Sequence, residues 1–351
     1  MTKTRTIPPS EGNRGSTLLQ VRNLVKEFEI RDAALRSRTV RAVDGVNFEI
    51  RRRETFAVVG ESGSGKSTIG RVLLGLTEKS NGEILFDGTA LDIKNREQFR
   101  DVRRRLQIVF QDPVTAFDPR IQIGRSLMEF LELREDLDSR DRLAEAEKLV
   151  TEVGLDREMI ERLPSQMSGG QLQRLSIARA LASEPDLVFL DEPTSALDVS
   201  IRGQIVNLLI ERQIHRGVTY LLVAHDLRVV AVMADRVAVM YLGQFVEITD
   251  KDRIFSQPLH PYTRGLIQAA HLNDLGLKEE TQGIRLRGEL SEEDARSSGC
   301  RLAPRCPFAE SRCSNAQELI ELRPGHWVRC WKALGIEQDP GVSVELPVGN
   351  N

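Results

Sequence analysis

The sequence has few cysteines, few aromatic residues and no long uncharged apolar run. Of its 351 residues, 4 are cysteines and 5% are aromatic. A transmembrane helix needs about 18 or more consecutive apolar residues, and the best candidate, 229–243, is interrupted by Asp235 and Arg236. These shortages exclude a disulfide scaffold and predict no membrane-spanning segment. Residues 1–16 are polar, so we expect a disordered arm there and no cleaved secretion signal.

Neither sign of charge is in clear excess. The chain has 49 Lys and Arg residues against 52 Asp and Glu residues, which gives a net charge of -3. Arginine clusters occur at 51–53 and at Arg100, Arg103, Arg104 and Arg105, but no aromatic residues are interleaved with them. We therefore interpret both clusters as solvated surface and predict no nucleic-acid partner.

Short apolar runs alternate with segments of helical spacing. The length alone predicts one large domain with an appendage, or two domains. The runs 55–59, 187–190, 220–224 and 237–241 predict buried strands. Because such strands alternate with helices, we predict an α/β fold with a largely parallel sheet, and a helical subdomain at about 95–180.

The strongest motif is a glycine-rich loop between a predicted strand and a predicted helix. The segment GESGSGKS fits G-x-x-x-x-G-K-[ST], in which backbone N–H groups and a helix N-terminus surround phosphate oxygens. We expect Lys66 to reach the β- and γ-phosphates and Ser67 to bind Mg²⁺. The predicted ATP-binding residues of this loop are Gly60, Glu61, Ser62, Gly63, Ser64, Gly65, Lys66, Ser67 and Thr68.

A second candidate is an acidic pair, Asp191 and Glu192, at the end of an apolar run. A carboxylate at the end of such a strand can hold Mg²⁺, and the next carboxylate can orient or deprotonate an attacking water. We therefore predict that Asp191 belongs to a metal site and that Glu192 is catalytic. Taken alone, the pattern more often marks a strand that ends in a solvated turn.

A third motif, in the segment MSGGQLQRLSIARALA, resembles the signature of ABC-type ATPases, whose usual form is LSGGQ. Other elements of that family follow the same order. Gln111 in VFQDP resembles the Q-loop, 187–192 resembles Walker B with its catalytic glutamate, 195–198 resembles the D-loop, and His225 in LLVAHD resembles the switch histidine. The resemblance covers about 17–330.

This resemblance implies a RecA-like α/β core with an antiparallel β subdomain, an α-helical subdomain and a small C-terminal appendage. It also implies head-to-tail dimers that hold ATP between the phosphate loop of one subunit and the signature of the other. Asp198 would lie at the dimer seam, a place compatible with a helix N-cap. The resemblance implies three catalytic residues, Glu192, His225 and Gln111. It implies three Mg²⁺ ligands, Ser67, Gln111 and Asp191. The further residues that it implies for ATP binding are Phe28, Gln111, Asp191, Ser168, Gly169, Gly170, Gln171 and Asp198.

Three longer segments, GESGSGKSTIGRVLLGL, RRRLQIVFQDP and LHPYTRGL, resemble the oligopeptide/dipeptide/nickel importer family, F-type (OppF/DppF-like). The implied division is a nucleotide-binding domain at 17–257 and an appendage at 258–351. The sequence departs from the family pattern at Arg53, where Gly is usual, and at 114–118, which reads VTAFD. The first departure affects a turn, and the second lies near the expected contact with the membrane partner.

The same resemblance implies an assembly and a location. The expected partners are two membrane permeases, a second and different ABC ATPase that forms a heterodimer with this chain, and an external substrate-binding protein. We expect a peripheral subunit on the cytoplasmic face of the inner (plasma) membrane. The expected cargo is peptides, with nickel, glutathione or peptide antibiotics as alternatives. The other function classes are a soluble ABC ATPase of translation or DNA repair, and a regulatory iron or redox sensor.

All four cysteines, Cys300, Cys306, Cys313 and Cys330, lie within one short segment. The segment is rich in proline and poor in apolar residues, so we expect it to need more than burial to become ordered. The C-terminal segment of the importer family is reported to carry a [4Fe–4S] cluster in some members, which makes this cluster the preferred prediction. Structural zinc and metal-free thiols are the alternatives. Arg301, Arg305, Arg312 and Arg329 are expected to offset the thiolate charge.

Overall fold

The computed structural model describes residues 15–31, 37–92, 95–195, 197–270, 284–288, 291 and 294–333. Most of the predicted disordered arm, 1–16, lies outside these residues, as does the end of the predicted appendage. The described strands are β1 (Thr17–Arg31), β2 (Ser37–Arg51), β3 (Thr55–Val59), β4 (Asn81–Phe86), β5 (Thr89–Ala90), β6 (Leu106–Val109), β7 (Leu187–Asp191), β8 (Thr219–Val223), β9 (Arg236–Tyr241), β10 (Gln244–Asp250), β11 (Ile320–Arg323) and β12 (His326–Val328). The described α-helices are α1 (Lys66–Leu73), α2 (Arg96–Arg105), α3 (Ile123–Leu131), α4 (Ser139–Glu152), α5 (Gly169–Ala182), α6 (Val199–Arg216), α7 (Leu227–Met233), α8 (Lys251–Ser256) and α9 (Pro261–Ala269).

One large mixed sheet has the strand order β11-β12-β10-β9-β3-β8-β7-β6. Neighbouring strands from β9 to β6 pair in parallel, whereas β10, β12 and β11 pair antiparallel. The four predicted core strands are confirmed as β3, β7, β8 and β9. Strand β6 was not predicted: it lies at the edge of this sheet, although its residues fall within the range expected to form the helical subdomain.

The parallel strands are mostly apolar because both of their faces are buried. Side chains alternate between the faces of a strand. Phe56 and Val58 of β3 accordingly belong to one apolar core, and Ala57 and Val59 belong to another. The side chains of β7, β8 and β9 alternate between the two cores in the same way. The sheet therefore separates two cores.

The first core lies under a smaller antiparallel sheet with the order β2-β1-β4-β5. This sheet and α1 cover one face of the large sheet; Phe48 of β2 stacks on Phe56 of β3 with ring centroids 5.4 Å apart. The arginines predicted to form a solvated surface are partly engaged here. Arg52 and Arg105 both bond to Asp87, at 2.5 and 2.6 Å.

The second core lies under the helices α3, α4 and α5. Leu127, Leu149 and Leu175, one from each helix, are completely or almost completely buried. Helix α4 begins at Asp138, whose carboxylate accepts hydrogen bonds from the backbone N–H groups of Arg140 and Asp141 at 2.8 and 2.9 Å. The cap stabilises the start of α4. The shared core places the helical layer on the side of the sheet opposite the antiparallel layer.

The C-terminal region is built into the large sheet. Strand β12 pairs with β10, and the buried carboxylate of Glu247 on β10 holds the region at three points. It accepts hydrogen bonds from the backbone N–H groups of Leu259 and His260, at 2.8 and 2.9 Å, and lies 2.8 Å from Nε2 of His326. Leu302 belongs to the second core. Apolar burial and buried hydrogen bonds therefore both hold this region on the large sheet.

None of the described helices combines the length and the apolar composition that crossing a membrane requires.

The contact between α1 and β7 gives a prediction for stability. A Cβ atom at Gly70 would lie 2.0 Å from Cε1 of Phe189, which is fully buried. We expect Gly70→Ala to lower the free energy of unfolding by about 1–3 kcal/mol, because a packed core cannot accept the added atom without strain. Gly203→Ala is the control, since no atom lies within 4 Å of a Cβ at that helical position. Denaturant unfolding of both variants checks this; equal stabilities would contradict the packing argument.

Candidate functional site

The carboxyl ends of β3, β7 and β8 carry the candidate chemistry. These strands are neighbours and parallel, so the segments that follow them meet at one edge of the sheet. The glycine-rich loop follows β3, Glu192 follows β7, and His225 follows β8. Three motifs that are far apart in the sequence thus converge at one site.

The glycine-rich loop closes around the amino group of Lys66. This buried Nζ donates hydrogen bonds to the carbonyl oxygens of Gly60 and Glu61, both at 2.8 Å, and burial lowers its pKa. Gly65 has a φ of 106°, and a Cβ there would lie 2.0 Å from the carbonyl oxygen of Ala42, so only glycine fits. The loop then enters α1 at Lys66. Backbone N–H groups at this helix start suit a phosphate.

The predicted metal-site residues on α1 and β7 are in contact. The hydroxyl of Ser67 donates a hydrogen bond to Oδ1 of Asp191 at 2.8 Å. Asp191 is only 4% exposed, and burial raises the pKa of its carboxyl. A hydroxyl and a buried carboxylate are ligands that suit Mg²⁺, and a cation would offset the cost of burying the charge. The donor set therefore fits Mg²⁺.

The three predicted catalytic residues are brought together. Nε2 of Gln111 donates a hydrogen bond to Oε2 of Glu192 at 2.9 Å, and Nδ1 of His225 lies 3.2 Å from the same oxygen. Glu192 adopts a left-handed backbone with a φ of 49°. Such strain is typical of functional positions. In the described part of the chain, no hydrogen bond joins Gln111 to Ser67 or Asp191, so its role as a metal ligand stays a prediction.

The signature residues form the start of α5. The side chain of Ser168 accepts a hydrogen bond from the backbone N–H of Gln171 at 3.3 Å, and the side chain of Gln171 accepts one from the N–H of Ser168 at 2.9 Å. This capping box leaves Ser168 and Gly169 exposed. Within the described ranges, no hydrogen bond or ion pair joins the signature to the glycine-rich loop.

Two other predicted residues are exposed. Asp198 precedes α6 at the N-cap position, but its side chain makes no capping hydrogen bond, and the following Val199 is 83% exposed. Phe28 lies on β1 and is 39% exposed, with the ammonium of Lys26 4.7 Å from its ring centroid. Both residues are accessible to a ligand or a partner.

Sequence reasoning missed two residues that touch the glycine-rich loop. The hydroxyl of Tyr262 accepts a hydrogen bond from the backbone N–H of Glu61 at 2.8 Å, and Nη1 of Arg305 bonds to both carboxylate oxygens of Glu61, at 3.1 and 3.2 Å. Tyr262 lies in the segment LHPYTRGL, which the sequence singled out without a role. Both residues come from the C-terminal region.

The four cysteines are brought together and are free thiols. All of them line one cavity, together with Trp331, whose Nε1 donates to Sγ of Cys313 at 3.2 Å. Burial raises the pKa of Cys306 to about 11. Among the described residues, no three His, Cys, Asp or Glu side chains are arranged to hold a single metal ion.

The arginines beside these cysteines have other partners than the thiols. Arg301 bonds to Asp44 and to the carbonyl oxygen of Leu242, and Arg305 bonds to Glu61. Arg329 donates to two backbone carbonyl oxygens, and Arg312 stacks on Trp331 with its guanidinium 4.8 Å from the ring centroid. The expectation that Arg301 and Arg305 offset the thiolate charge is therefore wrong, because carboxylates hold both.

The fold and the site have counterparts of known structure. The cassette MJ0796, a dimeric bacterial ABC transporter cassette, matches with a TM-score of 0.61 at 26% identity, over 66% of this chain and 98% of that one. A post-hydrolysis dimer of the same cassette, bound to ADP and Pi, matches with a TM-score of 0.60 at 27% identity and the same coverage. The protein thus has the fold of an ABC ATPase cassette.

Family models and relatives cover most of the chain. Residues 43–195 match the model "ABC transporter", and residues 246–313 match "Oligopeptide/dipeptide transporter, C-terminal region". YkfD of Bacillus subtilis (strain 168), whose name refers to oligopeptide transport, is 42% identical over 89% of this chain and 94% of its own. DdpF of Escherichia coli (strain K12), named as a probable D,D-dipeptide transport ATP-binding protein, is 41% identical to this chain. The match covers 91% of this chain and 99% of DdpF. The chain belongs to the ABC transporter family, among the ATP-binding proteins of oligopeptide/dipeptide transporters.

Proposed function

We propose that this protein is the ATP-hydrolysing subunit of an ABC importer and that it couples ATP binding and hydrolysis to the uptake of peptides through a membrane permease. The observation that carries the proposal is the convergence of Lys66, Ser67, Asp191, Glu192 and His225 at one edge of the sheet. Relatives named for oligopeptide and dipeptide transport support the class of cargo.

The proposed mechanism assigns one task to each part of the site. The glycine-rich loop and Lys66 bind the phosphates of ATP, and Ser67 and Asp191 hold Mg²⁺. When bound, Mg²⁺ neutralises charge on the phosphates. Glu192 orients the attacking water and accepts its proton, while Gln111 and His225 fix the carboxylate in place.

We propose that the working unit contains two ATPases. Ser168 and Gly169 of the signature are exposed, and within the described residues no hydrogen bond or ion pair joins the signature to the chain's own glycine-rich loop. The signature is therefore available to cap the phosphate bound by a partner. Asp198 and Val199 are exposed and are therefore available for the interface between the two ATPases. F-type relatives are expected to pair with a different ATPase. This chain carries the motif residues both of the phosphate loop with Glu192 and of the signature, so it can contribute to both ATP sites of such a pair. The complex would add two permeases and an external binding protein, with this subunit peripheral on the cytoplasmic face of the inner membrane.

We propose a [4Fe–4S] cluster at Cys300, Cys306, Cys313 and Cys330. The supporting observation is that four free thiols line one cavity. In a [4Fe–4S] cluster the four cysteine ligands are distributed over four iron atoms. Such a site therefore does not need three side chains arranged around one metal ion. Its role would be structural or regulatory, because ATP hydrolysis needs no redox step.

The catalytic assignment predicts a separation of binding from hydrolysis. Glu192→Gln should keep ATP affinity but slow hydrolysis about 10²- to 10⁴-fold, because the water loses its general base. Lys66→Ala should weaken ATP binding itself. Turnover and ATP affinity are measured in the assembled transporter. Glu184→Gln is the control, since Glu184 has a similar left-handed backbone (φ 50°) and does not bond to the site. Hydrolysis at the normal rate in Glu192→Gln would overturn the assignment.

The assembly proposal predicts a heterodimer of ATPases. Native mass measurement of the intact complex should find one copy of this 39.5 kDa chain and one copy of a different ATPase, with two permeases. Two copies of this chain without a second ATPase would contradict it. Isolation through a tag on this chain and through a tag on a permease should give the same composition.

The cluster proposal predicts iron in protein that has been purified without oxygen. The sample should be brown with about four irons per chain, and Cys306→Ser should lose them. Ser314→Ala, on the same segment but outside the four thiols, is the control. One tightly held zinc would replace the cluster with a zinc site. A colourless, metal-free sample would favour plain thiols, with the segment ordered by packing against the core.

A further inference from the structure

One residue of the glycine-rich loop, Glu61, is held at three separate points. Its backbone N–H donates to the hydroxyl of Tyr262, its carbonyl oxygen accepts from Nζ of Lys66, and its carboxylate bonds to Arg305. Two of these three partners belong to the C-terminal region. The position of Glu61 therefore depends on residues more than 200 positions away along the chain.

The arginine in this arrangement is buried. Arg305 is 8% exposed, whereas exposed ion pairs contribute little to stability. Its Nη1 also lies 3.4 Å from the hydroxyl of Tyr241, and the rings of Tyr241 and Tyr262 pack with centroids 4.6 Å apart. Burying a guanidinium is costly, so such a pair is better suited to fixing one geometry than to adding stability.

The turn that carries Arg305 is itself fixed. The backbone N–H of Arg305 donates to the carbonyl oxygen of Leu302 at 2.9 Å, and its own carbonyl oxygen accepts from the N–H of Arg287 at 2.9 Å. Leu302 is 2% exposed and belongs to the second core. The guanidinium thus projects from an anchored turn toward the loop, and the next residue, Cys306, lines the cysteine cavity.

We propose that Arg305 is a positioning residue for ATP binding. It holds the carboxylate of Glu61, and this restraint keeps the carbonyl oxygen of Glu61 on the amino group of Lys66, which preserves the shape of the phosphate loop. The inference rests on the proposed function of that loop. It adds a role for the C-terminal region, which supplies a contact that the nucleotide-binding motifs lack.

A double-mutant cycle on the purified full-length chain tests this proposal. Arg305→Gln and Glu61→Gln should each raise the Kd for ATP about threefold to tenfold, an effect in the range of coupled contacts. Because Arg305 acts through Glu61, the double variant should bind ATP no more weakly than either single variant. Arg305→Lys, which keeps the charge, should recover part of the affinity. In the assembled transporter, Arg305→Gln should raise the KM for ATP while kcat stays close to that of the wild type.

Matched controls separate this role from a general loss of structure. Arg22 and Glu83 form an ion pair of the same 3.1 Å distance on the exposed antiparallel sheet. Arg22→Gln should leave ATP affinity unchanged. If Arg305→Gln does not fold, as judged by thermal unfolding, Glu61→Gln must weaken binding by itself, and normal affinity in that variant overturns the proposal. Additive losses in the double variant, or wild-type affinity in Arg305→Gln, also overturn it. Failure of the wild-type chain to bind ATP would instead overturn the proposed function.

Discussion

The parallel pairing of β3, β8 and β7 is the constraint on which the rest of the site depends. Parallel strands that are buried on both faces leave only their ends for polar chemistry. The phosphate loop, Glu192 and His225 follow three neighbouring strands and therefore emerge together. A shift in register of any of these strands would move its motif away from the others, and the strands are fixed because alternate side chains enter two different cores.

The proposed pairing with a second ATPase concerns the start of α5. In that proposal the phosphates of ATP are contacted from two sides, and the signature lies at the exposed start of this helix. The capping box at Ser168 and Gln171 holds the helix start in a fixed form, so its N–H groups would be preorganised for the phosphate that the proposed partner binds. Buried Gln173, two residues further along α5, bonds to the carbonyl oxygen of Phe110 at 3.4 Å and so connects this helix to the loop that carries Gln111. Binding and hydrolysis can thereby be linked through one helix.

The C-terminal region is part of the core in a physical sense. The buried carboxylate of Glu247 accepts two hydrogen bonds from the backbone at the start of α9 and contacts Nε2 of His326 on β12, so it ties β10 to both elements. Burial lowers the pKa of the neighbouring His260 to about 4, so this histidine is neutral at neutral pH and its Nδ1 can accept the hydrogen bond from the N–H of Tyr262. Tyr262 then reaches the phosphate loop. A chain of buried polar contacts thus joins the region that carries the cysteines to the nucleotide site.

The sequence by itself determined the chemistry of the site and most of the fold class. The glycine spacing around Lys66 and the order of the motifs up to His225 are local features, and short apolar runs were enough to predict β3, β7, β8 and β9. The tertiary structure alone decided which distant residues touch. Strand β6 was missed because four residues, of which three are apolar, do not reveal their period next to helical segments. Arg305 was placed beside thiols by its sequence neighbours, whereas folding directs its side chain to Glu61. The partners of a long, charged side chain depend on where the backbone carries it, and sequence spacing does not contain that information.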